Sequence, residues 1–145
     1  MSMGVSFRVC VHLFLRKENE ILLLKQVLSR YEDNNYNVVF GKIEGREDAQ
    51  AAVIREARAQ LGISIRRDDL AVVQVMQRQT RTDDHLDYFL ECKTWSGSIQ
   101  NIESYRCSEL LWVDIGSIPD NTDDYLKSAV ENYKNQVAFT SFKAL

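Results

Sequence analysis

The sequence predicts a mixed α+β fold, a sheet with helices on its faces, and three observations carry that prediction. Short apolar runs with two-residue alternation fill the early chain, two helical segments with good caps interrupt the strands, and a polar loop with two glycines joins a strand directly to the first helix. The chain has 145 residues, one domain's worth, expected to run over 1–145, and can bury a substantial core without staples.

Over residues 7–15, Val9, Val11, Leu13 and Leu15 point one way and Cys10, His12 and Phe14 the other. Both faces are largely apolar, which predicts a central strand. Glu18-Asn19-Glu20 predicts a turn, and the apolar run at 21–24 the returning strand of a hairpin. Residues 29–35 read as a loop and 36–40 as a short strand ending at Gly41. Asp48 is a good N-cap for a helix reaching Leu61, with Val53, Ala57 and Leu61 as its buried stripe and Gly62 at C′. Residues 70–76 and 86–95 predict strands joined by a charged loop at 79–85. Ser96-Gly97-Ser98 predicts a turn, and 110–115 another strand. Asp123 or Asp124 opens a last helix with Leu126, Ala129, Val130 and Tyr133 as its apolar face. No repeat, linker or low-complexity tract divides the chain, and the one proline, Pro119, lies late.

A net charge of -3 and a pI near 5.4 argue against a nucleic-acid polymer as partner, which needs a basic face, and leave room for a small phosphorylated ligand. Cys10, Cys92 and Cys107 are odd in number and irregular in spacing, so they form no disulfide framework. With His12 they make a poor zinc set, because no CxxC pair exists. No apolar stretch approaches the ~20 residues of a membrane span and no signal peptide is visible, so no membrane partner and a cytoplasmic address are expected.

The informative stretch is GKIEGREDAQAAVIREARAQLGI, from Gly41 to Ile63. It resembles the Nudix box, G-x5-E-x7-R-E-U-x-E-E-x-G-U, where U is aliphatic. Gly41, Glu47, Arg55, Glu56 and Gly62 fall at the required places. Ile63 suits the last aliphatic position and Ala57, less well, the first. Ala59 and Gln60 stand where the motif has two glutamates. The segments Leu86-Asp87-Tyr88-Phe89, Trp95-Ser96-Gly97, Asn101 to Glu103, Cys107 to Trp112 and Ile118-Pro119 also look like those of Nudix hydrolases.

The resemblance implies a Nudix-type α/β/α sandwich, with a mixed sheet between helices. It implies hydrolysis of the diphosphate linkage of a nucleoside diphosphate derivative, of the nucleoside triphosphate or nucleotide-sugar class, with Mg²⁺ or Mn²⁺. Relatives often form dimers, so a homodimer is also admitted. The chemistry needs cations to neutralise the diphosphate and acidify the attacking water. Magnesium takes oxygen ligands, usually several waters and one or two carboxylates. A helix presents carboxylates on one face at i, i+3 and i+4, here Glu56, Ala59 and Gln60.

By resemblance, Glu56, Glu47 and Arg55 are the catalytic set: Glu56 as a metal ligand, with Arg55 pairing Glu47 to hold the loop on the helix. Gly41 through its backbone, Glu44 and the Gln60 carbonyl oxygen complete the metal candidates, while Ala59 offers nothing. Losing two carboxylates lowers cation affinity. In one reading Glu56 suffices with a carboxylate from elsewhere, Asp83, Asp84 or Asp87. In the other the fold is a catalytically silent nucleotide- or protein-binding module. Lys25, Arg30, Arg78 and Arg81 are the cations nearest the expected pocket. Tyr31 and Tyr36 are candidates to stack on a base, and Asp87 joins Lys25, Arg30, Tyr36 and Arg78 as a substrate-binding candidate. His12 reads as a core histidine with a satisfied hydrogen bond and His85 as a solvated loop residue. Asp123 and Asp124 suit the dipole of the last helix and have no catalytic role.

Overall fold

The computed structural model describes residues 4–27 and 34–144. Strand β1 (Arg8–Lys17) is central, as its two apolar faces require: it runs parallel to β6 (Asp84–Cys92) and antiparallel to β4 (Val39–Lys42). Its last residues also pair antiparallel with β2 (Glu20–Gln26). Beyond β6 lie β5 (Leu70–Thr80), antiparallel to it, and β8 (Phe139–Ala144), parallel to β5. Strand β2 carries β3 (Tyr36–Asn37) and β7 (Cys107–Asp114), both antiparallel.

Helices cover both faces. Val11, Leu13 and Leu15 share one core with Val53, Ala57 and Leu61 of α1 (Ala49–Leu61). Phe14 shares the other with Leu126, Ala129 and Val130 of α2 (Asp124–Lys134). This is the α/β/α arrangement with a mixed sheet that the sequence predicts.

Helix α1 begins where the Asp48 carboxylate accepts from Ala51 N at 2.9 Å and ends at Gly62, whose φ of 72° is left-handed. The carbonyls of Gln60 and Leu61, which no later helical turn can use, accept from Ile102 N at 3.2 Å and Gln100 N at 2.9 Å. The C-terminal end of α1 is thereby tied to the segment after Gly97.

Four expectations change. Residues 36–40 form two strands, because β3 pairs with β2 while β4 pairs with β1, and Val38 makes the crossing. The loop at 79–85 shrinks to 81–83, since Gln79 already pairs with Asp84 and Arg78 with His85. His85 is therefore a half-buried strand residue rather than a solvated one. Strand β8 has no counterpart in the sequence reading, because Phe-Thr-Ser-Phe-Lys-Ala is a mixed edge strand with weak alternation.

Candidate active site

The box loop leaves the sheet at Lys42 and returns as α1, which places Glu56 directly over Gly41. A Cβ on Gly41 would lie 1.9 Å from Glu56 Oε2. No larger residue fits beneath this carboxylate without moving it.

Arg55 clamps the loop. Its Nη2 donates to Glu47 Oε1 at 2.7 Å and to the Lys42 carbonyl at 2.8 Å, and its Nη1 donates to Glu56 Oε2 at 3.1 Å. Glu44 stands farther off, 3.7 Å from Arg55 Nη1, and is exposed. The Arg55 guanidinium and the Glu44 backbone N–H hold the Glu47 carboxyl below its ordinary range. Gln60 Nε2 completes the cluster, 3.0 Å from the Phe40 carbonyl and 3.1 Å from Glu56 Oε1. Ala59 is exposed and adds no polar atom. The structure thus gathers Gly41, Glu44, Glu47, Arg55, Glu56 and Gln60 in one place.

It places the other candidates elsewhere. Asp87 is fully buried on the α2 side of β6. Its carboxylate takes Arg78 Nε at 2.7 Å, Arg78 Nη2 at 3.2 Å and His12 Nε2 at 3.0 Å. An ionised carboxylate only accepts, so His12 carries its proton on Nε2 here. Its Nδ1 is buried without a partner, so the hydrogen bonding expected of this core histidine is only half met. The His12 ring stacks on Phe89 with centroids 4.5 Å apart. Burial pushes the Asp87 carboxyl up, and the His12 and Arg78 hydrogen bonds outweigh it and bring the pKa to about 2. Arg78 lies 4.1 Å from the Tyr125 ring centroid and lines a cleft of ≈ 330 Å³ with Thr80, Asp123 and Phe142. Asp123 does not cap α2 with its side chain: its carboxylate accepts from Asn35 and Asn37.

Asp83 reaches out to Arg8 and Asp84 opens β6, and among the described residues neither carboxylate is hydrogen-bonded to the Glu56 cluster. Lys25 Nζ lies 5.7 Å from the Tyr36 ring centroid, and Tyr36 is 7% exposed, with its hydroxyl on Glu109. That hydrogen bond and burial push the Tyr36 pKa up to about 12. Arg30 and Tyr31 lie outside the described residues.

Cys10, Cys92 and Cys107 are free and buried. Among the described residues, Cys10, His85 and Asp87 are the one group of three His, Cys, Asp or Glu with ligand atoms within 4.8 Å of one another. Arg78 already matches the charge of that Asp87.

Sequence reasoning missed Glu103 and Asn37. Glu103 lines a cavity of ≈ 40 Å³ beside Gln60, Phe40 and Arg106, room for water but not for a nucleotide. The only sequence signal for it was its place in the segment 101–103. A larger cleft, ≈ 520 Å³ around Arg16, Glu91 and Tyr133, lies at the other end of β1 and includes no box residue.

Comparison with known proteins agrees with this fold. The family model described as NUDIX domain matches residues 6–133. No curated protein matches in sequence. Among solved structures, the MutT NUDIX hydrolase from Burkholderia pseudomallei superposes with a TM-score of 0.78 at 22% identity, over 88% of this chain and 98% of that one. The MutT protein from Methanosarcina mazei Go1 gives 0.77 at 18% identity, over 93% and 98%. The MutT protein from Bacillus halodurans gives 0.78 at 13% identity, over 94% and 90%. At these identities the likeness is one of fold.

Proposed function

The chain belongs to the NUDIX domain family, and from that premise we propose that it hydrolyses the diphosphate linkage of a nucleoside diphosphate derivative. The substrate class is a nucleoside triphosphate or a nucleotide sugar, and the ion is Mg²⁺ or Mn²⁺. One observation carries the reading: the Glu56 carboxylate lies on Gly41, held from the side by Arg55, which Glu47 holds in turn.

The donor set fits one hard cation shared with the ligand's phosphates. Glu56, the backbone at Gly41 and Glu44 are the groups that would hold it, joined by the Gln60 carbonyl oxygen once its amide, which now turns its NH₂ to Glu56, rotates over, and magnesium takes one or two carboxylates together with substrate phosphates and water. When bound, the ion would neutralise the diphosphate and make a bound water more acidic. Arg55 fixes the direction of Glu56, and Glu47 keeps Arg55 from swinging onto the ligand. In the ≈ 330 Å³ cleft, Arg78 is the phosphate- or base-binding candidate and Asp87 fixes it from behind. Lys25 and Arg30 are further phosphate candidates, and Tyr36 is the candidate to stack on a base.

A second reading, a catalytically silent module that binds a nucleotide or a protein, draws on Ala59 and on the engagement of Gln60 with Glu56. Hydrolysis of a panel of nucleoside triphosphates, nucleotide sugars and dinucleoside polyphosphates with Mg²⁺ or Mn²⁺ separates the two. Turnover that disappears in Glu56→Gln supports the enzyme. Nucleotide binding without turnover, unchanged when Ala59 and Gln60 are both replaced by glutamate, supports the module.

A further inference from the structure

We propose that the Gln60 amide occupies the place of a cation in the box, so that the free protein binds no divalent ion by itself. The inference rests on reading the box as a diphosphate site, but its test needs no substrate.

Gln60 Nε2 lies 3.0 Å from the Phe40 carbonyl and 3.1 Å from Glu56 Oε1. A carbonyl and an ionised carboxylate only accept hydrogen bonds, so the group facing them is the NH₂, and its two N–H are both spent there. The other Glu56 oxygen takes Arg55 Nη1 at 3.1 Å. Each oxygen of the only carboxylate among Glu56, Ala59 and Gln60 therefore accepts from a protein donor, and the Arg55 guanidinium, which Glu56 shares with Glu47, offsets part of the local negative charge. A carboxylate oxygen from the helix and a carbonyl oxygen from the sheet, converging on one point, are donors that suit a hard cation. A neutral amide sits at that point instead.

A glutamate at position 60 could not do this. Its oxygens would face a carbonyl and a second carboxylate with nothing to donate, and two like charges so close favour a cation between them. Residue 60 thus decides whether the empty box needs an ion. A lone ion entering beside glutamine must break two hydrogen bonds to gain one carboxylate. An ion carried by a diphosphate brings its own oxygens.

The test titrates the full-length protein with Mn²⁺ alone, following the free-ion signal by electron paramagnetic resonance and the melting temperature in parallel. The wild type should take up no Mn²⁺ at the box and melt at the same temperature with and without it. Gln60→Glu should gain measurable Mn²⁺ uptake, at least about tenfold tighter than the limit set by the wild type, through the added charge at short range. It should melt lower than the wild type in metal-free buffer and recover when Mn²⁺ is added. Gln60→Ala, which removes the donor without adding charge, should gain uptake far less than Gln60→Glu. Wild-type uptake as tight as that of Gln60→Glu, lost in Glu56→Gln, would overturn the proposal. So would a Gln60→Glu variant whose melting does not respond to Mn²⁺.

Discussion

Alanine at position 41 sets two effects of opposite sign against each other. Gly41 does not use a left-handed backbone conformation. Gly41→Ala should therefore stabilise by about 0.4–1 kcal/mol through the unfolded chain if nothing else intervened. The new Cβ, however, would lie 1.9 Å from Glu56 Oε2, 2.4 Å from Cδ and 2.7 Å from Cγ. The carboxylate must swing away, giving up its hydrogen bonds from Arg55 Nη1 and Gln60 Nε2, both 3.1 Å. At about 1 kcal/mol net for each bond, the loss outweighs the entropic gain, and the variant should be destabilised by about 1 kcal/mol. Urea unfolding measures this as a lower midpoint at unchanged slope. The same substitution placed on Glu56→Ala has no carboxylate to displace and should be neutral or stabilising by up to about 1 kcal/mol. The two backgrounds should thus differ by about 1–2 kcal/mol. Equal effects in both would refute the idea that Glu56 rests on Gly41.

Gly62→Ala places a Cβ at a φ of 72° and 2.8 Å from Ile102 Cδ1, so it should destabilise by about 1–2 kcal/mol in thermal melts; an unchanged melting temperature would contradict the cap. Asp87, with its folded pKa at about 2 against an ordinary 3.8, stabilises the fold fully above about pH 4 and loses that contribution as pH falls towards 2. The stabilisation amounts to roughly 2–3 kcal/mol. Asp87→Asn should therefore be less stable at pH 7 and show a flatter decline in acid, and a wild-type acid limb retained in this variant would exclude Asp87 as its source.

Much of the α1 side was legible because local chemistry fixes it. Asp48 and Gly62 mark the helix ends by capping, and Val53, Ala57 and Leu61 mark its inner face by spacing. The pairing of Arg55 with Glu47 followed from the resemblance and is present at 2.7 Å. What sequence could not give is long-range. Asp87 meets His12 across strands β1 and β6, 75 residues apart in the chain, and periodicity says nothing about such a pairing. Asn37 meets Asp123 across 86 residues for the same reason. The split at Val38 is not legible either, because an apolar run looks alike whether it stays with one partner or changes to another.

Strand β1 serves two masters: its odd-numbered residues from Val11 to Leu15 support the box helix, while His12 and Phe14 support the opposite layer. For protein engineering this makes the molecule a scaffold with two separately adjustable surfaces. Carboxylates can be grafted onto the exposed and half-exposed positions 59 and 60 without repacking His12 against Phe89. The cleft near Arg78 can be reshaped while the loop from Gly41 to Glu47 keeps its form. A library that varies each layer alone would change one face of the sheet while leaving the packing of the other as it is.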